Sequence, residues 1–141
     1  MIIEYDSDDL DASSLCAWKE ARGDGNAAMR ANIHIQVNRV AAPDFPKTLH
    51  DVIYQKNAFT SMTVTSDPEF NLIPQSGNEA FLYCESIVES VLRGTDPDIT
   101  NGARYYDNPK YVTSSWYQRK IIADPSNHPQ VATIGRQNFY A

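Results

Sequence analysis

The stretch WKEARGDG, residues 18–25, sets a carboxylate close to an indole and then carries the chain through two glycines. Upstream of it, Leu15 and Trp18 have the spacing of one helical face, and Ser13 or Ser14 is placed to cap a short helix through LCAWKEA. Glu20 falls near the end of that helix. Gly23 and Gly25 permit a tight turn. Beyond them Met29, Ile33, Val37 and Val40 repeat at helical intervals and predict a second helix from about Ala27 to Val40. The fold therefore opens with two helices and an acid near their junction.

The same reasoning extends along the chain. PDFPKTLHDVIYQ puts Pro46 at a helix start and Leu49, Val52 and Ile53 on one side, predicting a short third helix. Residues 57–75 alternate only locally and contain prolines, so they read as a loop or short extended segment. Ser76 and Glu79 have the spacing of a capping box, and Ala80, Cys84, Ile87, Val88, Val91 and Leu92 follow the helical period as far as Gly94. GTDPDITNGA is an irregular connection. ARYYD, SSWYQRKIIAD and VATIGRQNFYA then mix aromatic and β-branched residues in short runs, which favours strands or extended segments. The sum is an α+β domain, mainly helical with a small β portion.

A chain of 141 residues with 42% hydrophobic content can bury one sizeable core. Its net charge of -6 lacks the Lys and Arg excess of a phosphate-tracking surface, so non-specific nucleic-acid binding is not expected. A neutral glycan in a cleft is compatible with that charge. Cys16 and Cys84 sit in apolar helical surroundings and are expected to be buried and reduced, although a bridge between them stays open. With no CxxC and only His34, His50 and His128, neither a metal nor another cofactor is expected. The N-terminus carries Glu4, Asp6, Asp8, Asp9 and Asp11, the reverse of a secretory signal, and no apolar run has the length of a membrane span. The expectation is synthesis in a cytoplasm without a Sec signal, and no stable membrane insertion.

Glycosidic cleavage needs a proton delivered to a poor leaving-group oxygen, and a carboxyl in apolar surroundings is suited to that task. Trp18, Ala21 and the start of the second helix could reduce the hydration of Glu20. The plainer alternative is a solvated glutamate, or one paired with Lys19 or Arg22. Local spacing does not choose between them.

WKEARGDG, followed by IQVNRV, FPKTLHDVIYQKNAFT, VLRGTDPDITNGARYYDNP, Trp116 and IGRQNFYA, resembles the catalytic domain of the SleB-like cell wall hydrolases, the family of the spore-cortex-lytic enzymes. The resemblance runs from about Leu15 to Ala141, with the blocks in order. It divides the chain into an acidic leader, 1–12, and a catalytic domain, 13–141. It implies a lysozyme-like or resuscitation-promoting-factor-like fold, peptidoglycan glycan strands as substrate, and Glu20 as general acid. Lys19 stands where the family often has glycine, Asp24 where it has glutamate, and Gln137 where a histidine is common, so no imidazole role is carried over there.

The resemblance also places Phe59 and Thr60 near the cleft, where Thr60 could donate to Glu20 or to sugar; otherwise Phe59 is core and Thr60 a turn residue. Tyr105 and Tyr106 match the family's tyrosine segment. Adjacent strand residues face opposite ways, so one of them faces substrate, and the resemblance slightly favours Tyr105. Trp18, Trp116 and Tyr140 are further candidate sugar contacts. Trp116, Tyr117, Phe139 and Tyr140 could form a stacking platform or belong to the core. No second acid stands out among Asp24, Glu79, Asp96, Asp98 and Asp107. That favours a lytic transglycosylase forming 1,6-anhydromuramic ends over a muramidase leaving reducing ends. A non-catalytic glycan-binding virion protein is the reading from another class, and phage lysis or virion partners fit a chain read as lacking its own signal.

Overall fold

The computed structural model describes residues 3–112 and 114–141. Helix α1, Ser7–Ala21, begins earlier than the serines suggested. Asp6 accepts a hydrogen bond from the Asp9 amide, and the Asp9 side chain accepts one from the Asp6 amide, so two helix-end donors are satisfied reciprocally. Asp8 and Asp9 also sit at the positive end of the helix dipole. Ser13 and Ser14 are therefore buried inside the helix and cap nothing.

Helix α2, Asn26–Ala41, starts directly after Gly25, whose φ of 94° lies in the region that favours glycine. Helix α3, Leu49–Ile53, is capped by Thr48, which accepts from the Asp51 amide. The segment read as a loop contains a single helical turn, α4, Thr60–Thr63. Helix α5, Glu79–Leu92, is capped by Asn78 and not by Ser76: Asn78 Oδ1 accepts from the Phe81 amide and from Trp18 Nε1. The caps at Asn78 and Asp6 are both set by contacts that satisfy a second donor.

α1, α2 and α5 pack against one another. Cys16, Ala17, Met29, Ile33, Cys84, Val88 and Val91 lie in the core they share. Both cysteines are buried and free, as expected. Burial pushes the Cys16 thiol well up and the Cys84 thiol up to about 12, so neither is a ready nucleophile.

Against this helical body lies an antiparallel sheet of β1, Tyr105–Asp107, β2, Gln130–Ile134, and β3, Gln137–Tyr140, in the order β1-β3-β2. Tyr105 pairs with Tyr140, Tyr106 with Phe139 and Asp107 with Asn138. The stretch SSWYQRKIIAD, expected to be extended, is helical instead. Ser114 accepts from the Tyr117 amide and caps α6, Ser115–Tyr117, which continues into a π-helical turn, Gln118–Ile122, anchored by buried Ile121. The α+β expectation holds, and among the described residues the β portion is this one sheet.

Candidate active site

Glu20 occupies the last turn of α1, half-buried, with each carboxylate oxygen held by a different segment. Oε2 accepts from Ser61 Oγ at 2.5 Å and Oε1 from Tyr106 Oη at 2.8 Å. The adjacent Lys19 fixes the first of these donors from behind. Its ammonium donates to the carbonyls of Ser61 at 3.4 Å and Phe70 at 2.7 Å. Lys19 therefore does not neutralise Glu20, and neither does Arg22, which pairs with Glu69 and lies over the Trp18 ring. The solvated or cation-paired alternative is not what the fold builds.

Tyr106 is half-buried, with its hydroxyl turned to the helices. Burial, and then the nearby Glu20 carboxylate, push its phenol well above the usual range, which keeps it a donor. Its oxygen also accepts from Asn32 Nδ2 at 3.3 Å. Asn32 Oδ1 in turn accepts from Gln36 Nε2 at 3.0 Å, and Gln36 Oε1 accepts from Ser13 Oγ at 2.6 Å. A buried polar chain thus runs between α1 and α2 and ends on the candidate acid. Such a network, once satisfied, fixes the orientation of each member.

Two cavities, of about 600 and 410 Å³, share Asn57, Tyr106, Ser114, Trp116 and Tyr117. Together they form a groove along one side of Tyr106. Glu20 lines neither and meets the groove through Tyr106. Arg39 is buried in the wall of the larger cavity, with its guanidinium against Phe45 and Phe59 and its Nε donating to the Arg104 carbonyl at 2.8 Å.

The structure separates the other candidate contacts. Trp116, 53% exposed, and Tyr105 line the groove. Strand alternation holds, but it is Tyr106 that reaches Glu20, while Tyr105 packs against Phe45 and His128. Phe59 is fully buried beneath Arg39. Thr60 turns away and donates to Asp67 at 2.6 Å, and its neighbour Ser61 holds the acid. Trp18 is buried, packed edge-on against Phe81 and bonded to Asn78. Tyr140 is buried against Tyr117 on the opposite face of β3 from Phe139. Tyr117, named with Trp116 as a stacking candidate, does line the groove, whereas Ser61 and Asn32 are additions that no motif or spacing signalled.

Most of the other acids are occupied. Asp24 receives Arg136 Nε at 2.7 Å and the Arg136 amide at 2.9 Å. Burial pulls its carboxyl upward, but the Arg136 bonds outweigh this and hold it below the usual carboxylate range. Asp96 bonds Arg30 and His34, and Asp98 accepts from Asn38, Thr100 and Gly102. Glu79 is exposed at the start of α5. Among the described residues, Asp107 alone of this group is buried without a partner. Among the described residues no three His, Cys, Asp or Glu side chains gather as a metal site, and no helix is long and apolar enough to cross a membrane.

Residues 23–140 match the family described as Cell Wall Hydrolase. The spore cortex-lytic enzyme of Bacillus cereus is 30% identical over 135 residues, covering 96% of this chain and 45% of that protein. That of Halalkalibacterium halodurans is 29% identical, again over 96% of this chain but 35% of its own length. The chain thus spans less than half the length of these curated relatives. The catalytic domain of the germination-specific lytic transglycosylase SleB from Bacillus anthracis superposes with a TM-score of 0.73 at 27% identity, covering 97% of each chain. The catalytic domain of the Bacillus cereus SleB protein gives 0.72, also at 27% identity, over 98% of this chain and 93% of that one. With nearly its whole length matched in sequence and in backbone, the chain belongs to the cell wall hydrolase family and carries the SleB-like catalytic fold.

Proposed function

We propose that this domain cleaves the glycan of peptidoglycan between N-acetylmuramic acid and N-acetylglucosamine as a lytic transglycosylase. The observation that carries the reading is the double hold on Glu20, one carboxyl without a cation, oriented by two hydroxyls beside an aromatic-lined groove. The likeness to SleB catalytic domains supports it.

In the first step the protonated Glu20 gives its proton to the glycosidic oxygen as the bond to C1 of the muramic acid breaks. In the second, the C6 hydroxyl of the same sugar closes on C1, and its proton passes to the carboxylate. Glu20 returns to its starting state, and the product carries a 1,6-anhydro end. No activated water is needed, which suits a site where Asp24, Asp96 and Asp98 are all engaged elsewhere. Ser61 and Tyr106 stabilise the carboxylate between the two steps, after its proton has left and before the C6 hydroxyl returns one, because hydroxyl donors already aimed at a developing charge need not reorganise.

The experiment is digestion of purified peptidoglycan by the wild type and Glu20→Gln, with soluble products read by mass spectrometry. Anhydro-muropeptides from the wild type and a rate lower by about 10²- to 10⁴-fold in the variant are expected. Reducing ends in place of anhydro ends would assign hydrolysis with the same acid. Equal product from both proteins would remove Glu20 from the mechanism.

A further inference from the structure

Asp107 closes β1 and is buried, yet among the described residues neither of its carboxylate oxygens has a hydrogen-bond partner. The Tyr117 hydroxyl is buried and likewise has no partner among the described residues. The Tyr140 hydroxyl approaches Asp107 without reaching hydrogen-bond geometry. Desolvation pushes the Asp107 carboxyl upward. A desolvated acceptor left unmet destabilises a fold, so an orphan of this kind calls for a donor from outside the chain.

Its position says where that donor would come from. Asp107 lines the 410 Å³ cavity together with Tyr106, Trp116 and Tyr117, and on its other side a cavity of about 640 Å³ with Asn138 and Tyr140. Trp116 and Tyr111 are the exposed aromatics at this end of the groove, and of the two Trp116 also lines the adjoining 600 Å³ cavity. We propose that Asp107 and the Tyr117 hydroxyl form a sugar subsite, taking the N–H or O–H donors of an N-acetylated saccharide ring that lies on Trp116, at one end of the groove beside Tyr106. A pyranose suits this pairing, since its C–H face packs on an indole while its edge presents donors. Strand alternation puts Asp107 and Tyr106 on opposite faces of β1. Asp107 therefore binds a neighbouring sugar and is not a second acid for Glu20. This subsite rests on the reading of the domain as a glycan-cleaving enzyme.

The test is titration of peptide-free glycan strands into Glu20→Gln protein, which holds substrate without turning it over, and into the same protein carrying D107L or D107N. Stripping the peptides leaves sugars as the only donors. The subsite predicts a Kd weakened by about tenfold or more in D107L, the size of a lost hydrogen bond to a charged group. D107N, which keeps a carbonyl acceptor, loses less. The Tm of D107L stays level or rises, because an unpaired buried carboxyl has been removed. An unchanged Kd in D107L overturns the subsite. A lowered Tm in step with the lost affinity overturns it too, by making Asp107 structural. A fall of kcat by about 100-fold or more at constant KM in the D107N single variant would place Asp107 at the reacting atoms instead. Failure of the Glu20→Gln parent to bind any glycan removes the enzymatic reading itself. Binding by the parent without an Asp107 effect removes only the subsite.

Discussion

Tyr106 donates its phenolic proton to Glu20 across 86 positions of sequence, so the middle of a β-strand sets the orientation of a carboxylate at the end of the first helix. Ser61 does the same from a one-turn helix. Y106F and S61A each remove a hydrogen bond to a carboxylate, and each is expected to lower kcat by about 10- to 100-fold with little change in KM. The double variant should fall short of the product of the two single effects, because both act through one carboxyl. Steady-state release of soluble fragments from peptidoglycan checks this; full kcat in Y106F would detach the tyrosine from the chemistry.

How far the sequence leads is clear from neighbouring pairs. Periodicity locates α2 and α5 because their buried faces repeat over several turns, and it places Glu20 at a helix end. It does not separate Thr60 from Ser61, since the register of a single helical turn is set by tertiary contacts, here the Lys19 ammonium on the Ser61 carbonyl. Tyr105 and Tyr106 are equivalent locally, and only the pairing of Tyr106 with Phe139 turns its hydroxyl towards α1. Arg39 reads as a helix-end cation until Phe45 and Phe59 enclose it. Residues 115–122 read as extended from their aromatic and β-branched content, yet one serine cap and the burial of Ile121 are enough to coil them.

The polar chain behind Tyr106 should cost stability when broken in the middle. Gln36 is fully buried, accepts from Ser13 and donates to Asn32. Gln36→Leu leaves the Ser13 hydroxyl without its acceptor in the core, at a cost of about 1–3 kcal/mol. The expected result is a lower urea midpoint with an unchanged m-value. A midpoint equal to that of the wild type would mean that the chain contributes nothing net to stability.

Asp24 gives a pH signature. Its folded-state carboxyl lies below the ordinary carboxylate range, so its contribution is present above the unfolded value of about 3.9 and is lost as pH falls through the lower folded value. Asp24→Asn should therefore be less stable than the wild type at neutral pH, and the two should converge as the solution is acidified below about pH 4. Thermal melts at matched pH read the difference directly. A gap that stays constant down to acid pH would mean that the effect is steric and not the charge on Asp24.

The turn between β2 and β3 is fitted to the turn after Glu20 at one glycine. Gly135 has φ +59°, and a Cβ built there would stand 2.7 Å from Asp24 Oδ2. The Asp24 side chain cannot simply swing clear, because it holds the Arg136 amide and guanidinium, and Arg136 in turn bonds the Gly23 carbonyl. Gly135→Ala therefore meets two costs, a left-handed backbone with a side chain and a displaced carboxylate. Strain of the first kind alone is on the order of 1–3 kcal/mol. Combining it with Asp24→Ala opens the space and should recover part of the loss, leaving the backbone cost. Calorimetric Tm values for the two single variants and the double variant separate the contributions. A double variant that loses the full sum of the singles would show that the glycine is required for its conformation alone and not for the approach of Asp24.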